Sequence, residues 1–465
     1  MSVLDDLRIS GRILTDPADT APFLTDWRKL WHGRALAVVQ PDTTADVATV
    51  LRWCGRHKVP VVAQGGNTGM SGGATPDPTG SAIVLSLARL NTIREVDTLN
   101  NTITLDAGCI LQTVQDAAEQ AGRLFPLSLA SEGSCTIGGN LASNAGGTAV
   151  LRYGNARELC LGLEVVTATG EIWDGLSGLR KDNSGYDLRD LFIGSEGTLG
   201  VITGAVLKLF PKPAARVAAF IGVESVASAL GLLDEARNRI DSALTAFEIL
   251  SEQCLALVLD HFPDARRPLE TTCRAYVLIE VTDLRDEANA REALESLLVT
   301  AFEQGLVIDG AIAESVAQCR AFWSLRENIA EAQGAAGSTI KHDIAVPISR
   351  IVAFLADADA AIAARWPDLR FVTFGHLGDG NIHYNFSPPA GGDQAAFYAE
   401  QHAINGVVHD LVIHHGGTIS AEHGLGVLRR DEAARYKSPV ALDLMRAIKR
   451  ALDPDGLLNP DKMLA

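Results

Sequence analysis

The sequence has no G-x-G-x-x-G and no G-x-x-x-x-G-K motif, so neither a Rossmann nor a P-loop nucleotide site is supported. It has no C-x-x-C pair. Its 7 cysteines (Cys54, Cys109, Cys135, Cys160, Cys254, Cys273 and Cys319) are scattered, which excludes a zinc-ribbon framework. They read as buried thiols in a reducing compartment rather than as a disulfide scaffold. Positive charge is in deficit: 57 acidic against 40 basic side chains give a formal net charge of −17. That balance argues against a nucleic-acid binder and against an anionic-membrane binder. No apolar run approaches a membrane span. The opening Met1-Ser2-Val3-Leu4-Asp5-Asp6 turns acidic at once, unlike a secretory or transit signal. The expectation is a cytoplasmic protein whose 465 residues form more than one domain.

Glycine is where the chain stands out. Thr44–His57 carries helical spacing through Val47, Val50, Leu51 and Cys54, and Val59-Pro60-Val61-Val62-Ala63 then reads as a buried strand. The strand runs into Gln64-Gly65-Gly66-Asn67-Thr68-Gly69, with Gly72-Gly73 beyond. A second stretch holds Gly133-Ser134-Cys135-Thr136-Ile137-Gly138-Gly139-Asn140 and then Ala142-Ser143-Asn144-Ala145-Gly146-Gly147. A third, Gly194-Ser195-Glu196-Gly197-Thr198-Leu199-Gly200, leads into a strand at Val201-Ile202-Thr203. Glycine after a strand lets backbone N–H groups close on an anion such as a pyrophosphate. One such loop could be an unusual turn; three in one domain favour a large dinucleotide.

After Pro211-Lys212-Pro213 the glycine clusters stop and helices alternate with strands, so a domain boundary is placed there. Ile308 to Gln333 reads mostly as one long helix, with Cys319, Phe322, Arg326, Ile329 and Gln333 on one face. An arginine on an apolar stripe needs an anionic partner, either a ligand or a glutamate of the protein itself. Thr339 to Pro347 reads as a strand with Lys341 and Asp343 on one side, which is equally how an exposed strand face would look. Further on, Phe374-Gly375-His376-Leu377-Gly378-Asp379-Gly380-Asn381-Ile382-His383-Tyr384-Asn385 reads as a β-hairpin turning at Asp379-Gly380. That register opposes His376 and His383 and adds Asn385 to their face. Two opposed imidazoles can chelate one metal ion; a polar wet face is the plain alternative. Glu422-His423, followed by Gly424-Leu425-Gly426, offers a carboxylate and an imidazole from a turn. If that turn reaches the hairpin, His376, His383 and Glu422 make a three-ligand metal site with open positions.

Together these stretches resemble the FAD-dependent D-2-hydroxyacid dehydrogenases of the vanillyl-alcohol-oxidase type, nearest to those acting on D-2-hydroxyglutarate. The likeness is carried by the glycine loops and by Arg180-Lys181-Asp182-Asn183-Ser184-Gly185-Tyr186-Asp187-Leu188. It continues in Trp323-x-x-Arg326-Glu327, Lys341-x-Asp343-Ile344, Gly375 to His383, Ser420-Ala421-Glu422-His423-Gly424 and Leu457-Leu458-Asn459-Pro460-x-Lys462. The resemblance implies an α+β fold. A two-lobed FAD-binding domain would span residues 1–211, and a substrate-cap domain 212–419, built on an antiparallel sheet with helices on one side. A segment over 420–465 would return to the flavin. It further implies FAD contacts from Gly65, Gly66, Asn67, Thr68 and Gly69, and from Gly133, Ser134, Thr136, Gly138, Gly139, Asn140, Ser143, Asn144, Gly146 and Gly147. Glu196, Gly197, Val201, Ile202 and Asn459 complete that set. These loops contain no histidine, so the flavin is expected to be non-covalent. Also implied are a divalent metal (zinc or similar) on His376, His383 and Glu422, and His423 as catalytic base. Arg326 and Lys341 would then hold a substrate carboxylate, and Asn385 would support the reacting end.

The implied activity is oxidation of D-2-hydroxyglutarate, or a close D-2-hydroxy dicarboxylate, to the 2-oxoacid by hydride transfer to FAD N5. An electron-transferring flavoprotein or a quinone is the implied acceptor, and a homodimer is one expected assembly. A metal and two cations would make the pocket positive inside an acidic protein, much of whose long-range field is screened by salt. Two departures stand out. Ala330 replaces a threonine that can belong to the carboxylate contacts, and Asn-Pro-Asp-Lys replaces the usual Asn-Pro-Gly-Lys at the tail. A D-lactate or glycolate dehydrogenase is the nearest rival expectation. A metal-dependent hydrolase and a non-catalytic flavin-binding protein are rivals from other classes.

Overall fold

The computed structural model describes residues 3–389 and 391–464. The chain forms two compact units: Met1–Gly147, Tyr153–Lys212 and Glu422–Ala465 make the first, Thr148–Arg152 and Pro213–Ala421 the second.

The first unit holds two sheets. β1 (Arg12–Leu14), β2 (Ala37–Gln40), β3 (Val61–Gln64) and β4 (Ile83–Ser86) form a four-stranded sheet in the order β1-β2-β4-β3. β2 and β3 run parallel to β4, and β1 is antiparallel to β2. A parallel sheet needs crossovers, and the helix Thr44–His57 supplies one. Thr43 caps it by accepting the Asp46 N–H, and its buried face is Val47, Val50, Leu51, Trp53 and Cys54. β5 (Ile93–Asp97), β6 (Thr102–Asp106), β8 (Cys160–Val166), β9 (Ile172–Gly175) and β10 (Val201–Lys208) form an antiparallel sheet ordered β5-β6-β10-β8-β9. A short pair joins β7 (Arg123–Leu124) to β11 (Phe210–Pro211). One apolar core runs through both sheets, from Val39 and Val61 to Leu105 and Leu207. The tail is stitched to β3: the Leu457 carbonyl accepts the Val61 N–H at 2.8 Å, and the Asn459 N–H donates to the Val61 carbonyl at 2.7 Å.

The second unit is built on one seven-stranded antiparallel sheet. Its strands are β12 (Ala215–Val223), β13 (Leu244–Ser251), β14 (Ala275–Asp283), β15 (Asp309–Ile312), β16 (Asp343–Ala345), β17 (Arg370–His376) and β18 (Asn381–Ser387). The order is β15-β12-β14-β13-β17-β18-β16. Ala218, Phe220, Leu250, Tyr276 and Leu278 pack with the helices Glu252–His261 and Val316–Glu327. Val217, Ala219 and Ile221 on the opposite face are equally buried. The sheet is thus covered on both sides, not on the one expected, and unbroken apolar runs such as Tyr276-Val277-Leu278-Ile279 are the pattern of that burial.

Two further elements differ from expectation. The helix expected over Ile308–Gln333 is β15 followed by two helices, Val316–Glu327 and Ile329–Ala335. Ser315 starts the first by capping the Gln318 N–H, and Asn328 interrupts the stripe between them. The strand expected over Thr339–Pro347 shrinks to β16, with an isolated bridge from Ile340 to Phe386. Lys341 therefore sits half-buried on irregular chain just before β16.

Candidate active site

In the second unit the hairpin places the two histidines, in a register two residues away from the expected one. β17 and β18 pair Val372 with Asn385, Phe374 with His383, and His376 with Asn381. The connecting loop is Leu377-Gly378-Asp379-Gly380. The His376 carbonyl accepts both the Asp379 N–H (3.2 Å) and the Gly380 N–H (3.1 Å), and Asp379 Oδ1 accepts the Asn381 N–H at 3.0 Å. Those bonds close a four-residue connection in place of the expected two-residue turn. His376 and His383 are consequently not opposed. A slip of two preserves the face, however, so they stand one diagonal step apart with ring centroids 5.7 Å from each other.

Polar side chains gather on that same face. Glu248 of β13 is the direct cross-strand partner of His376. Its Oε1 lies 2.8 Å from His376 Nδ1 and its Oε2 2.9 Å from Arg326 Nε. Arg326 also covers the Phe374 ring at 4.7 Å, and that ring rests against His383 at 4.8 Å. Arg326 therefore does have a glutamate of the protein as partner, but the pair uses only Nε. Its Nη groups make no hydrogen bond among the described residues, which leaves the bidentate edge of the guanidinium for an anion. Asn385 is buried behind the histidines: Oδ1 accepts the His342 N–H at 3.0 Å and Nδ2 donates to Gln333 Oε1 at 3.1 Å. Ala421, the last residue of this unit, donates its N–H to the Asp343 carbonyl at 3.1 Å, and Glu422 follows directly.

In the first unit the glycine loops converge on one cleft. Its wall includes Gly65, Gly66, Asn67, Thr68 and Gly69, then Thr136, Gly138, Gly139, Asn140 and Ser143, then Glu196, Gly197, Val201 and Ile202. His423 stands on the same wall. Close approach of backbone explains the glycines: a Cβ on Gly66 would lie 2.1 Å from the Ser134 carbonyl oxygen, and one on Gly138 2.7 Å from Ala107 Cβ. Strain gathers at the same place, because Asn67, Asn144, Glu196 and Asn459 all adopt positive φ. Thr136 Oγ1 is buried without a hydrogen-bond partner, as is Asn459 Oδ1, and a buried polar atom of this kind marks a place for a ligand or water.

Six residues expected at the flavin are not on the wall. Gly133 is exposed, Ser134 contributes its carbonyl against Gly66, and Gly146 lies off the cleft. Asn144 ends the helix Ile137–Ser143 in left-handed conformation and accepts the Arg157 N–H at 3.0 Å. The Gly147 N–H donates to Glu422 Oε1 at 2.7 Å. Asn459 braces the wall from behind, its Nδ2 donating to the carbonyls of Gly73 (2.9 Å) and Glu196 (2.7 Å). The turn bearing His423 is tied down twice. Ser71 Oγ donates to the carbonyls of His423 and Gly424 at 3.1 and 3.2 Å, and the Glu196 carboxylate accepts the Leu425 and Gly426 N–H groups at 2.7 and 2.8 Å. Burial pushes the Glu196 carboxyl above its ordinary range, against the opposing pull of those two N–H groups and of Lys462.

Residues 35–175 match the FAD binding domain model, and residues 212–463 match the C-terminal domain of FAD linked oxidases. The chain belongs to the FAD-linked oxidase family. Curated relatives of this chain include D-2-hydroxyglutarate dehydrogenase of Xanthomonas citri pv. viticola, 40% identical over 97% of this chain and 94% of the relative. Others are D-2-hydroxyglutarate dehydrogenase of Stutzerimonas stutzeri (36%, over 100% and 99%) and the mitochondrial D-2-hydroxyglutarate dehydrogenase of Arabidopsis thaliana (40%, over 95% and 77%). Among solved structures, p-cresol methylhydroxylase with substrate bound matches with TM-score 0.75 at 17% identity, over 97% of this chain and 93% of that one. Alkyldihydroxyacetonephosphate synthase also gives 0.75, at 16% identity over 98% and 83%. At such identities the likeness concerns the fold, which is of the vanillyl-alcohol-oxidase type. The protein is an FAD-dependent oxidoreductase, and the hydrolase and non-catalytic readings fall away. The cleft suits the cofactor: it combines closely approachable backbone with an orphaned hydroxyl at Thr136. No helix among the described residues is long and apolar enough to cross a membrane.

Sequence reasoning missed Glu248. The available signal was a lone carboxylate in the apolar run Phe247-Glu248-Ile249-Leu250, where an unpaired charge would be costly.

Proposed function

We propose that this enzyme is a dehydrogenase that converts D-2-hydroxyglutarate, or a close D-2-hydroxy dicarboxylate, to the corresponding 2-oxoacid. FAD is held non-covalently, and His376, His383 and Glu422 hold a divalent metal, zinc or similar. The observation that carries the reading is the position of His423, a base on the wall of the glycine-loop cleft. The names of the curated relatives point to the substrate, and two imidazoles with a carboxylate are a common open zinc set.

FAD, once bound, would supply the two-electron acceptor, and a cation held by His376, His383 and Glu422 would supply Lewis acidity. His423 takes the 2-hydroxyl proton at an imidazole nitrogen, a contribution of typically ~10²–10⁴-fold. The C2 hydrogen departs with its electron pair, so the carbon is oxidised by two electrons as the C2=O bond forms. Arg326 presents its Nη edge to the distal carboxylate and Lys341 adds a second positive charge. Asn385, its amide orientation set by His342 and Gln333, supports the reacting end. Reoxidation falls to an electron-transferring flavoprotein or a quinone.

Ala330 is the one observation favouring the D-lactate or glycolate alternative. It is exposed in the following helix, four residues after Arg326, and brings no hydroxyl to a distal carboxylate. Anaerobic titration of the metal-reconstituted enzyme, read as bleaching of the oxidised-flavin absorbance, decides. Bleaching by D-2-hydroxyglutarate but not its L-isomer, and its loss with a chelator, is the expected result. Bleaching by D-lactate alone would overturn the dicarboxylate assignment, and no bleaching by any D-2-hydroxyacid would overturn the reaction class.

A further inference from the structure

Glu248 is 1% exposed within the apolar run Phe247-Glu248-Ile249-Leu250 of β13, and it contacts two of the functional candidates at once. Its position is not adjustable. The β13–β17 register sets it directly opposite His376, and the neighbouring Phe247 carbonyl accepts the Gly378 N–H of the hairpin loop at 3.2 Å. From the helix above, Arg326 closes the other side of the carboxylate and is itself only 7% exposed.

A carboxylate can only accept, so both neighbours must donate. Arg326 Nε–H always does. His376 donates from Nδ1 as the imidazolium or as the neutral Nδ1–H tautomer; a metal ligand is neutral, and in that neutral tautomer the lone pair sits on Nε2, the atom a metal would bind. Occupying Nε likewise fixes the guanidinium plane across the Phe374 ring and turns the Nη edge away from Glu248. We infer that Glu248 is a positioning residue whose single carboxylate sets both the metal-binding tautomer of His376 and the orientation of the Arg326 clamp. The inference rests on the metal and clamp roles proposed above.

Glu248→Gln separates the two effects. Arginine cannot accept, so the amide oxygen must face Arg326 Nε and the amide NH₂ must face His376 Nδ1. His376 can then accept only as the Nε2–H tautomer, which has no lone pair for a metal. The clamp keeps its orientation while metal binding suffers.

The test uses the flavin-containing enzyme. Zinc affinity is measured by competition with a chromophoric chelator. Nitrogen-15 NMR of histidine-labelled, zinc-stripped protein reports the tautomer, with the His376 signals assigned by their loss in His376→Asn. The expected result is a proton on Nδ1 in the wild type and on Nε2 in Glu248→Gln, with zinc bound about 10–100-fold more weakly by the variant. At saturating zinc the variant should keep the wild-type preference for D-2-hydroxyglutarate over D-lactate. A neutral wild-type His376 ring with its proton on Nε2 instead of Nδ1, or a Glu248→Gln enzyme with wild-type zinc affinity, overturns the inference. The wild-type spectrum needs no substitution at 248, so it decides even if the variant does not fold. A wild type that binds no zinc would instead overturn the metal assignment, and the tautomer would still settle the role of Glu248.

Discussion

Gly66→Ala should weaken flavin binding while leaving the chain folded. A Cβ at this position would lie 2.1 Å from the Ser134 oxygen, 3.0 Å from its carbonyl carbon and 3.1 Å from Cys135 Cα, all backbone atoms that cannot swing aside. A carbon–oxygen contact is comfortable from about 3.3 Å, so the second glycine loop would have to retreat by about 1.2 Å (3.3 minus 2.1). Overpacking of this kind costs roughly 1–3 kcal/mol. Without flavin the two loops can part and relieve the clash; binding needs both walls in place, so the cost appears in the affinity. At about 1.4 kcal/mol per tenfold, the dissociation constant for FAD should rise roughly 5- to 150-fold. Flavin fluorescence quenching on adding FAD to stripped protein measures it. Gly133→Ala is the control, since a Cβ there meets nothing within 4 Å and the residue lies off the cleft wall. Wild-type FAD affinity in Gly66→Ala, or equal losses in both variants, would refute the close-approach argument.

Arg326→Met should lower the kcat/KM ratio of D-2-hydroxyglutarate to D-lactate by roughly tenfold or more, because each charge-assisted hydrogen bond to the distal carboxylate contributes about 1.5–3 kcal/mol. Using the ratio cancels damage common to both substrates, and equal loss on both would remove Arg326 from the clamp. Ser71→Ala removes the hydroxyl that holds the His423 and Gly424 carbonyls; at about 0.5–1.5 kcal/mol, kcat should fall by up to roughly tenfold with FAD affinity unchanged. An unchanged kcat would mean that the Glu196 carboxylate holds this turn alone. Burial pushes the thiols of Cys54 and Cys109 up to about 12 and that of Cys254 up to about 11, so their thiolate fraction stays small until the pH approaches those values. A thiol reagent applied to the native enzyme near pH ~8 should label the half-buried Cys319 first and the others only on unfolding. Simultaneous labelling of several cysteines in the folded protein would contradict that burial.

Much of the site was legible in the chain because its requirements are local. The glycine loops announce themselves where backbone meets backbone, and the helix Thr44–His57 follows from its spacing and its Thr43 cap. The shared face of His376, His383 and Asn385 survives the wrong register because a two-residue slip cannot change which side of a strand a side chain takes. The register itself was out of reach, since it depends on two N–H groups competing for the His376 carbonyl. Lys341 reads as a strand residue because the chain on either side of it does pair with β18, at the Ile340–Phe386 bridge and from Asp343 onward, while Lys341 itself falls in the gap between them. Glu248 was invisible as a site residue for a stronger reason: its partners lie 78 and 128 residues away in sequence, and only the antiparallel pairing of β13 with β17 brings it to His376. By itself the sequence determined the family, the glycine loops that come to line one cleft and the face on which the histidines stand, all consequences of short-range geometry. Tertiary structure alone decided which carboxylate meets which imidazole, because that depends on how distant strands are ordered in a sheet.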